Sequence, residues 1–152
     1  KLGLGTDIMV GFPGEDDTAF ANTLKLASEL PFAYFHVFPF SPRPGTAAVK
    51  LANSVSVTHI KKRTAILTSL SQAKRLAAHD RYIGTTVRVL FEAGRHDGFV
   101  VGTTANFLRV AVPAQSELTN QVHPVAITAA SERWAVGHLA TQPAIQTQLS
   151  IL

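Results

Sequence analysis

The sequence predicts an α/β segment followed by a small all-β segment. In the first fifty residues, two β-prone runs flank one helical pattern, and after residue 84 five short β-prone runs alternate with turn residues. A second helical pattern, over 57–82, connects the two segments. The chain has 152 residues, of which 46% are hydrophobic and 16% charged, so it is long enough to bury a core but short for two full-sized domains.

The first segment has the order strand, helix, strand. Residues 6–10 are β-prone and end at a glycine, and the acids of the following FPGEDD suit the start of a helix. Apolar residues then recur at helical spacing up to Pro31. The run AYFHVF (33–38) does not alternate, which predicts a strand covered on both faces, as in a parallel sheet. A right-handed βαβ unit would bring loops 11–15 and 39–46 together at the ligand-binding end of the sheet.

The connecting helix carries the excess of positive charge. The formal net charge is +4, and residues 51–81 hold six basic side chains against one acid, Asp80. The six are Lys61, Lys62, Arg63, Lys74, Arg75 and Arg81. Such a local basic footprint suits a polyanion such as nucleic acid, and a solvated helix face is the alternative.

Five β-prone runs follow Gly84, at 86–90, 99–101, 107–112, 122–128 and 134–139. We expect a small, closed or nearly closed, antiparallel β-barrel, because an open meander of such short strands would leave exposed edges. The uncharged tail, 141–152, is expected to be loosely ordered.

Composition excludes several classes of site. The chain has no cysteine, which excludes disulfides, thiolate nucleophiles and cysteine-bound zinc or iron–sulfur clusters within it. Its six histidines lack a helical ligand spacing with a carboxylate partner, so we predict no metal site. Ser41 and Ser69 lack the sequence context of a nucleophile elbow, and we predict no catalytic residue in this chain. His36 is expected to be a hydrogen-bonded core residue, or a substrate contact if it faces a barrel lumen. No apolar run approaches 18 residues, so we predict no membrane span. The chain opens on Lys1 rather than Met, from which we expect a fragment.

Several motifs together resemble a known family. TDIMVGFPGEDDTAF, then FHVFPFSPRPGTAA and a basic helix, resembles the later part of the tRNA methylthiotransferases, which are radical S-adenosylmethionine enzymes. The similarity is greatest to the branch that acts on threonylcarbamoyl-adenosine. IGTTVRVLFE, GFVVGTTANFLRVAVP and ELTNQVHPVAITAASERWAVGHL are similar to the TRAM domain, an OB-like RNA-binding barrel that ends those enzymes. The resemblance covers about residues 3–140, and the combination is more specific than any one motif.

The resemblance implies a fold and an activity. Residues 1–54 would be the last strands and helices of a partial (β/α) radical S-adenosylmethionine barrel, 55–83 a basic connecting helix, 84–140 the TRAM barrel and 141–152 the tail. The family is cytoplasmic and cleaves S-adenosylmethionine reductively at a [4Fe-4S] cluster. With a second cluster, it places a methylthio group on a modified adenosine next to the anticodon of tRNA.

The resemblance also implies site residues. Those on the S-adenosylmethionine side are Asp7, Gly11, Phe12, Glu15, Ser41, Arg43 and Thr46. The expected RNA-binding residues are Lys61, Lys62 and Arg63, from the basic helix, and Asn106, Phe107 and Arg109, from the TRAM-like strand. Phe107 could be a stacking face for a base or a core aromatic of the barrel.

One departure from the family limits what this chain can do. The family's CxxxCxxC motif and other cluster cysteines would all precede Lys1, so this chain can bind neither cluster and is expected to be inactive alone. Its expected partners are tRNA and the missing N-terminal part of the same enzyme. The alternative is a stand-alone, non-catalytic RNA-binding module. A small-molecule enzyme built on the βαβ unit would need a larger sheet.

Overall fold

The computed structural model describes residues 3–114 and 118–141, and the chain divides into two compact units, Lys1–Ala78 and His79–Leu152. The first unit contains β1 (Gly5–Val10), α1 (Asp17–Glu29), β2 (Tyr34–Pro39), a 3-10 turn (Ala47–Lys50) and most of α2 (Val57–Asp80). The second contains β3 (Thr86–Phe91), β4 (Phe99–Thr103), β5 (Arg109–Pro113), β6 (Val122–Ala130) and β7 (Ala135–Leu139). Residues 142–152, most of the expected tail, lie outside the described residues.

The first unit is the predicted βαβ arrangement with one further helix. β1 and β2 pair in parallel, from Gly5 opposite Tyr34 to Val10 opposite Pro39. Helix α1 begins at the cap residue Asp16, whose carboxylate accepts a hydrogen bond of 2.7 Å from the Ala19 N–H. The core draws on both strands and both helices, and its buried members are Val10, Phe20, Ala27, Phe35 and Leu67.

The expectation that the second strand is covered on both faces is wrong within the described residues. Burial along β2 alternates, with Phe35 buried and His36 and Phe38 exposed. The buried core residues of the two strands lie on one face, which packs against the helices, so the opposite face stays open. An unbroken apolar run therefore does not reveal how many faces of its strand are covered.

The second unit is a closed five-stranded barrel in the order β3-β4-β5-β7-β6, with β3 also paired to β6. Its core consists mainly of valines and Phe91, Leu108 and Ile127. The expected barrel is confirmed, but the expected purely antiparallel pairing is wrong, because β5 and β7 pair in parallel. A closed ring with an odd number of strands cannot alternate direction all the way round. One parallel pair is therefore required, and it falls between β5 and β7.

Two glycines allow barrel strands to approach closely. A Cβ on Gly102 would run into the carbonyl oxygen of Leu90 on β3, and one on Gly137 into that of Ala126 on β6. Only a residue without a side chain fits at these two positions. In the described part of the chain, no helix is both long and apolar enough to cross a membrane.

Candidate functional site

The turn after β1 is closed by its own residues. Gly11 is buried and has a φ of 82°, a conformation that favours glycine. The Glu15 carboxylate accepts a hydrogen bond of 2.7 Å from the Gly11 N–H, and the Glu15 N–H donates to the Phe12 carbonyl at 2.9 Å. Gly11 and Glu15 are both expected to contact S-adenosylmethionine. In the structure, the Gly11 N–H and the Glu15 carboxylate and N–H form hydrogen bonds within the turn itself.

Arg63 holds this turn to helix α2. Its Nη1 donates to the Glu15 carboxylate at 2.9 Å and to the Glu15 carbonyl at 2.8 Å, while its Nη2 donates to Asp17 at 2.8 Å. The hydrogen bond from Arg63 and its positive charge lower the pKa of Asp17, and the same hydrogen bond is the main reason that the pKa of Arg63 is raised. Arg63 is only 6% exposed, with its guanidinium 5.2 Å from the centre of the Phe20 ring.

The other predicted cations of α2 have different surroundings. Lys61 and Lys62 are exposed, and no ion pair involves them among the described residues. Lys74, by contrast, donates to the carbonyls of Ser28 and Leu30 at 2.9 and 2.8 Å, which satisfies the end of α1. Arg75 lies over the Tyr34 ring, 5.3 Å from its centre. The expected polyanion contact on this helix is therefore available from Lys61 and Lys62, whereas Arg63 is engaged inside the unit.

The loops after β1 and β2 lie at one end of the parallel pair, as predicted. The Phe12 and Phe40 rings meet edge to face at 5.3 Å, and the Phe40 N–H donates to the Val10 carbonyl at 2.7 Å. Ser41, Arg43 and Thr46 follow in the second loop and are exposed. The Thr46 hydroxyl donates to the Arg43 carbonyl at 2.8 Å, so it stiffens the loop. Phe12 and the second loop are thus brought together.

The open face of the β1–β2 pair carries the predicted site residue Asp7 and His36, together with Met9 and Phe38, which sequence reasoning did not place in a site. Asp7 is exposed there, opposite His36, and Met9 lies opposite Phe38. Met9 is 55% exposed and Phe38 47%. His36 is not a core residue: its ring is exposed and lies between Tyr34 and Phe38, at 5.4 and 6.2 Å. The signal that could have found this face is the two-residue period shared with Asp7, an acid unsuited to a core.

Phe107 lies at the end of the β4–β5 connection and is not in the barrel core. It is 74% exposed and has a φ of 65°. Thr104 organises this turn: its hydroxyl donates to Asn106 Oδ1 at 2.6 Å and accepts from the Leu108 N–H at 3.0 Å. The Asn106 amide also donates to the Tyr82 hydroxyl at 2.6 Å. The strand predicted over 107–112 begins two residues later, at Arg109, which is why Phe107 is free of the core.

Arg109 is close to this turn and is held on the barrel surface. It lies opposite Thr103 in the β4–β5 register and forms an ion pair through Nη1 with Glu92. Nη1 is also 3.3 Å from the Thr103 hydroxyl. The Arg109 side chain is 43% exposed, so its guanidinium is positioned and still accessible. Asn106, Phe107 and Arg109 thus share one hairpin, as the predicted site requires.

A cleft of about 580 Å³ opens in the first unit beside the closed turn. Glu15, Asp16, Asp17, His59 and Arg63 line it together with residues 53–56. Three carboxylates in the lining make it unsuitable for a phosphate.

Metal and cluster binding are not supported by the residues present. Within 3–114 and 118–141, no group of three or more histidine or acidic side chains could hold a metal ion. The chain contains no cysteine, so it does not provide the ligands of a [4Fe-4S] cluster. No family model matches the chain.

Proposed function

We propose that this chain forms the later part of a radical S-adenosylmethionine tRNA methylthiotransferase. Its first unit would be part of the wall of a (β/α) barrel, and its second unit would bind tRNA. The observation that supports the role proposed for the first unit is the open face of the β1–β2 pair. A parallel pair packed against helices on one face only, with Asp7, Met9, His36 and Phe38 exposed on the other, is what an arc of a larger barrel would present to its lumen.

The S-adenosylmethionine side would use the exposed predicted residues. Phe12 offers an aromatic edge beside the second loop, and Arg43 offers a guanidinium that suits the carboxylate of S-adenosylmethionine. Asp7 faces the proposed lumen. Gly11 and Glu15 would act indirectly, because their hydrogen bond fixes the turn that carries Phe12.

The electron source would come from outside this chain. When bound, S-adenosylmethionine supplies an adenosyl radical only after reduction at an iron–sulfur cluster, and this sequence has no cysteine to hold one. The proposed enzyme therefore needs a cysteine-bearing segment as its partner. A stand-alone RNA-binding module is the second candidate, and it is favoured by one observation: the barrel closes on itself around its own core.

Both candidates require contact with RNA. Lys61 and Lys62 on α2 and Arg109 on the barrel are accessible cations, and Phe107 is an accessible aromatic ring. Cations would bind phosphates, which makes the affinity fall as salt concentration rises. Arg63 is left out of this proposal, because its guanidinium is buried against Glu15 and Asp17.

The test measures binding of an unmodified tRNA transcript to the purified chain across salt concentrations. We expect the double variant Lys61→Gln/Lys62→Gln to bind more weakly and to lower the salt slope by about one for each phosphate that it no longer neutralises. Lys25→Gln is the matched control, because Lys25 is an exposed lysine on the other helix of the unit and its described ion pair is a surface pair with Glu29. Binding that does not respond to salt, or an equal effect of the control, would contradict RNA contact through α2.

A further inference from the structure

We propose that the Phe107 turn is a stacking platform for an unpaired base, so that the barrel selects single-stranded or splayed-out RNA over duplex RNA. This inference rests on the proposed RNA-binding function and specifies which form of RNA the barrel takes. It is carried by the exposure of the ring, the backbone conformation of the residue, the hydrogen bonds of the turn and the neighbouring arginine.

The Phe107 ring is available for a planar ligand. At 74% exposure, it is the most exposed phenylalanine in the described part of the chain, ahead of Phe38 at 47% and Phe12 at 43%. Phe12 packs edge to face on Phe40, whereas no described aromatic contact involves Phe107. The hydrophobic effect disfavours such exposure, so packing of the barrel does not account for a phenylalanine here.

The backbone conformation at position 107 does not account for a phenylalanine there either. Four described non-glycine residues have a positive φ, and three of them are asparagine or aspartate, which tolerate this conformation: Asn53, Asp97 and Asn120. Phe107 is the exception, with a φ of 65°. An aromatic residue in the left-handed region is strained, and such strain is typical of sites where a side chain must be presented in one orientation.

Hydrogen bonds order the backbone that carries the ring. The Phe107 N–H donates to the Thr104 carbonyl at 3.0 Å, and the Thr104 N–H donates to the Leu108 carbonyl at 3.0 Å. The Thr104 hydroxyl and the Asn106 amide add the hydrogen bonds described above, of which the second reaches Tyr82 ahead of β3. A turn whose backbone is ordered before binding loses little backbone freedom when a base stacks on its side chain.

Arg109 provides a phosphate contact two residues from the ring. Its described contacts, to Glu92 and Thr103, both use Nη1, and a guanidinium has five N–H donors, so further donors can reach a phosphate. In A-form duplex RNA the bases are paired and stacked on each other, and an aromatic side chain cannot reach their faces. An exposed ring two residues from a positioned cation therefore fits a single strand.

The test compares a labelled single-stranded RNA of about a dozen nucleotides with its duplex, by fluorescence anisotropy on the full chain. Phe107→Asn removes the ring and suits the left-handed backbone, so we expect affinity for the single strand to fall on the order of tenfold, duplex binding to stay unchanged and the melting temperature not to fall. Phe107→Trp keeps a stacking face, so it should retain single-strand affinity and show quenched indole fluorescence on binding, measured against wild type to correct for Trp134.

Each outcome separates the two proposals. If single strand and duplex bind equally and Phe107→Asn changes neither affinity, the stacking platform is overturned while RNA binding stands. If neither RNA binds the wild-type chain, the proposed RNA-binding function itself fails. A weaker single-strand affinity of Phe107→Asn, with melting unchanged and Phe107→Trp active, is the result that supports the platform.

Discussion

At the scale of single residues, three consecutive basic side chains have different roles. Lys61 and Lys62 are exposed, whereas Arg63 is buried against two carboxylates. A helix turns by about 100° per residue, so neighbours in sequence point in different directions, and Arg63 falls on the side of α2 that carries Leu67. A run of positive charge therefore indicates a basic helix but not which of its members reach a ligand.

Asp17 gives this unit an acid-sensitive contact. Because Arg63 lowers the pKa of Asp17 in the folded state, the pair stabilises the fold above the pKa that Asp17 has in the unfolded chain. We expect this stabilisation to disappear progressively as pH falls below about 4, because the Asp17 carboxyl is protonated first in the unfolded chain and only at lower pH in the folded one. In urea unfolding followed by circular dichroism, Asp17→Asn should be less stable than wild type at pH 7, and the difference should shrink toward pH 3.

Glu29→Gln is the control for this experiment. Glu29 is also a carboxylate of α1, but its partner Lys25 is 3.9 Å away and both side chains are largely exposed. Such surface pairs contribute little. A stability difference between wild type and Asp17→Asn that stays constant from pH 3 to pH 7 would rule out the ion pair as its cause.

At the scale of elements, a serine side chain joins helix α2 to strand β2. The hydroxyl of Ser71 accepts a hydrogen bond of 2.9 Å from the Phe35 N–H and donates one of 2.6 Å to the Phe35 carbonyl. Ser71 is buried, at 4% exposure. It thus satisfies two backbone groups of β2, which is why a polar residue lies among the core positions of α2.

Ser71→Ala should destabilise the first unit strongly. The substitution leaves the Phe35 N–H and carbonyl buried without this partner, which should lower the free energy of unfolding by about 2 to 4 kcal/mol. Ser69→Ala is the matched control, because Ser69 is exposed on the same helix and should change stability by less than about 0.5 kcal/mol. Chemical denaturation of both variants measures the difference. Equal effects would contradict the role given to the Ser71 hydroxyl.

The barrel shows what strand patterns predict and what they leave open. Five β-prone runs with turns between them are enough to predict five strands in a closed or nearly closed barrel, because short strands are stable when their edges are paired. The structure shows that the barrel is closed. The pattern does not show which strands pair in parallel. An odd number of strands in a closed ring requires a parallel pair, and only the strand order shows that β5 and β7 form it. The sequence pattern also predicts that the strand begins at Phe107, two residues before β5 does. An apolar residue next to a strand looks like part of that strand in the sequence, whether its side chain points into the core or into solvent.

At the scale of the whole molecule, the proposed methylthiotransferase activity requires a cluster-bearing partner segment, because this chain has no cysteine to hold a cluster. If the proposed enzyme is correct, the coding sequence ahead of Lys1 should contain a CxxxCxxC motif in frame. Sequencing of that region checks this directly. A start codon close to Lys1 with no such motif would contradict the methylthiotransferase and leave the RNA-binding module, since the barrel has a core of its own.

The amino-acid sequence by itself determined the order of elements, the parallel βαβ unit and the existence of a small barrel, because these depend on local periodicity, turn residues and edge pairing. Only the tertiary structure decided which faces and side chains remain accessible. It buried Arg63 and exposed His36, Phe38 and Phe107, because burial depends on residues distant in the chain, such as Glu15 opposite Arg63. The candidate sites consist of the side chains that tertiary packing leaves accessible, which the sequence pattern does not reveal.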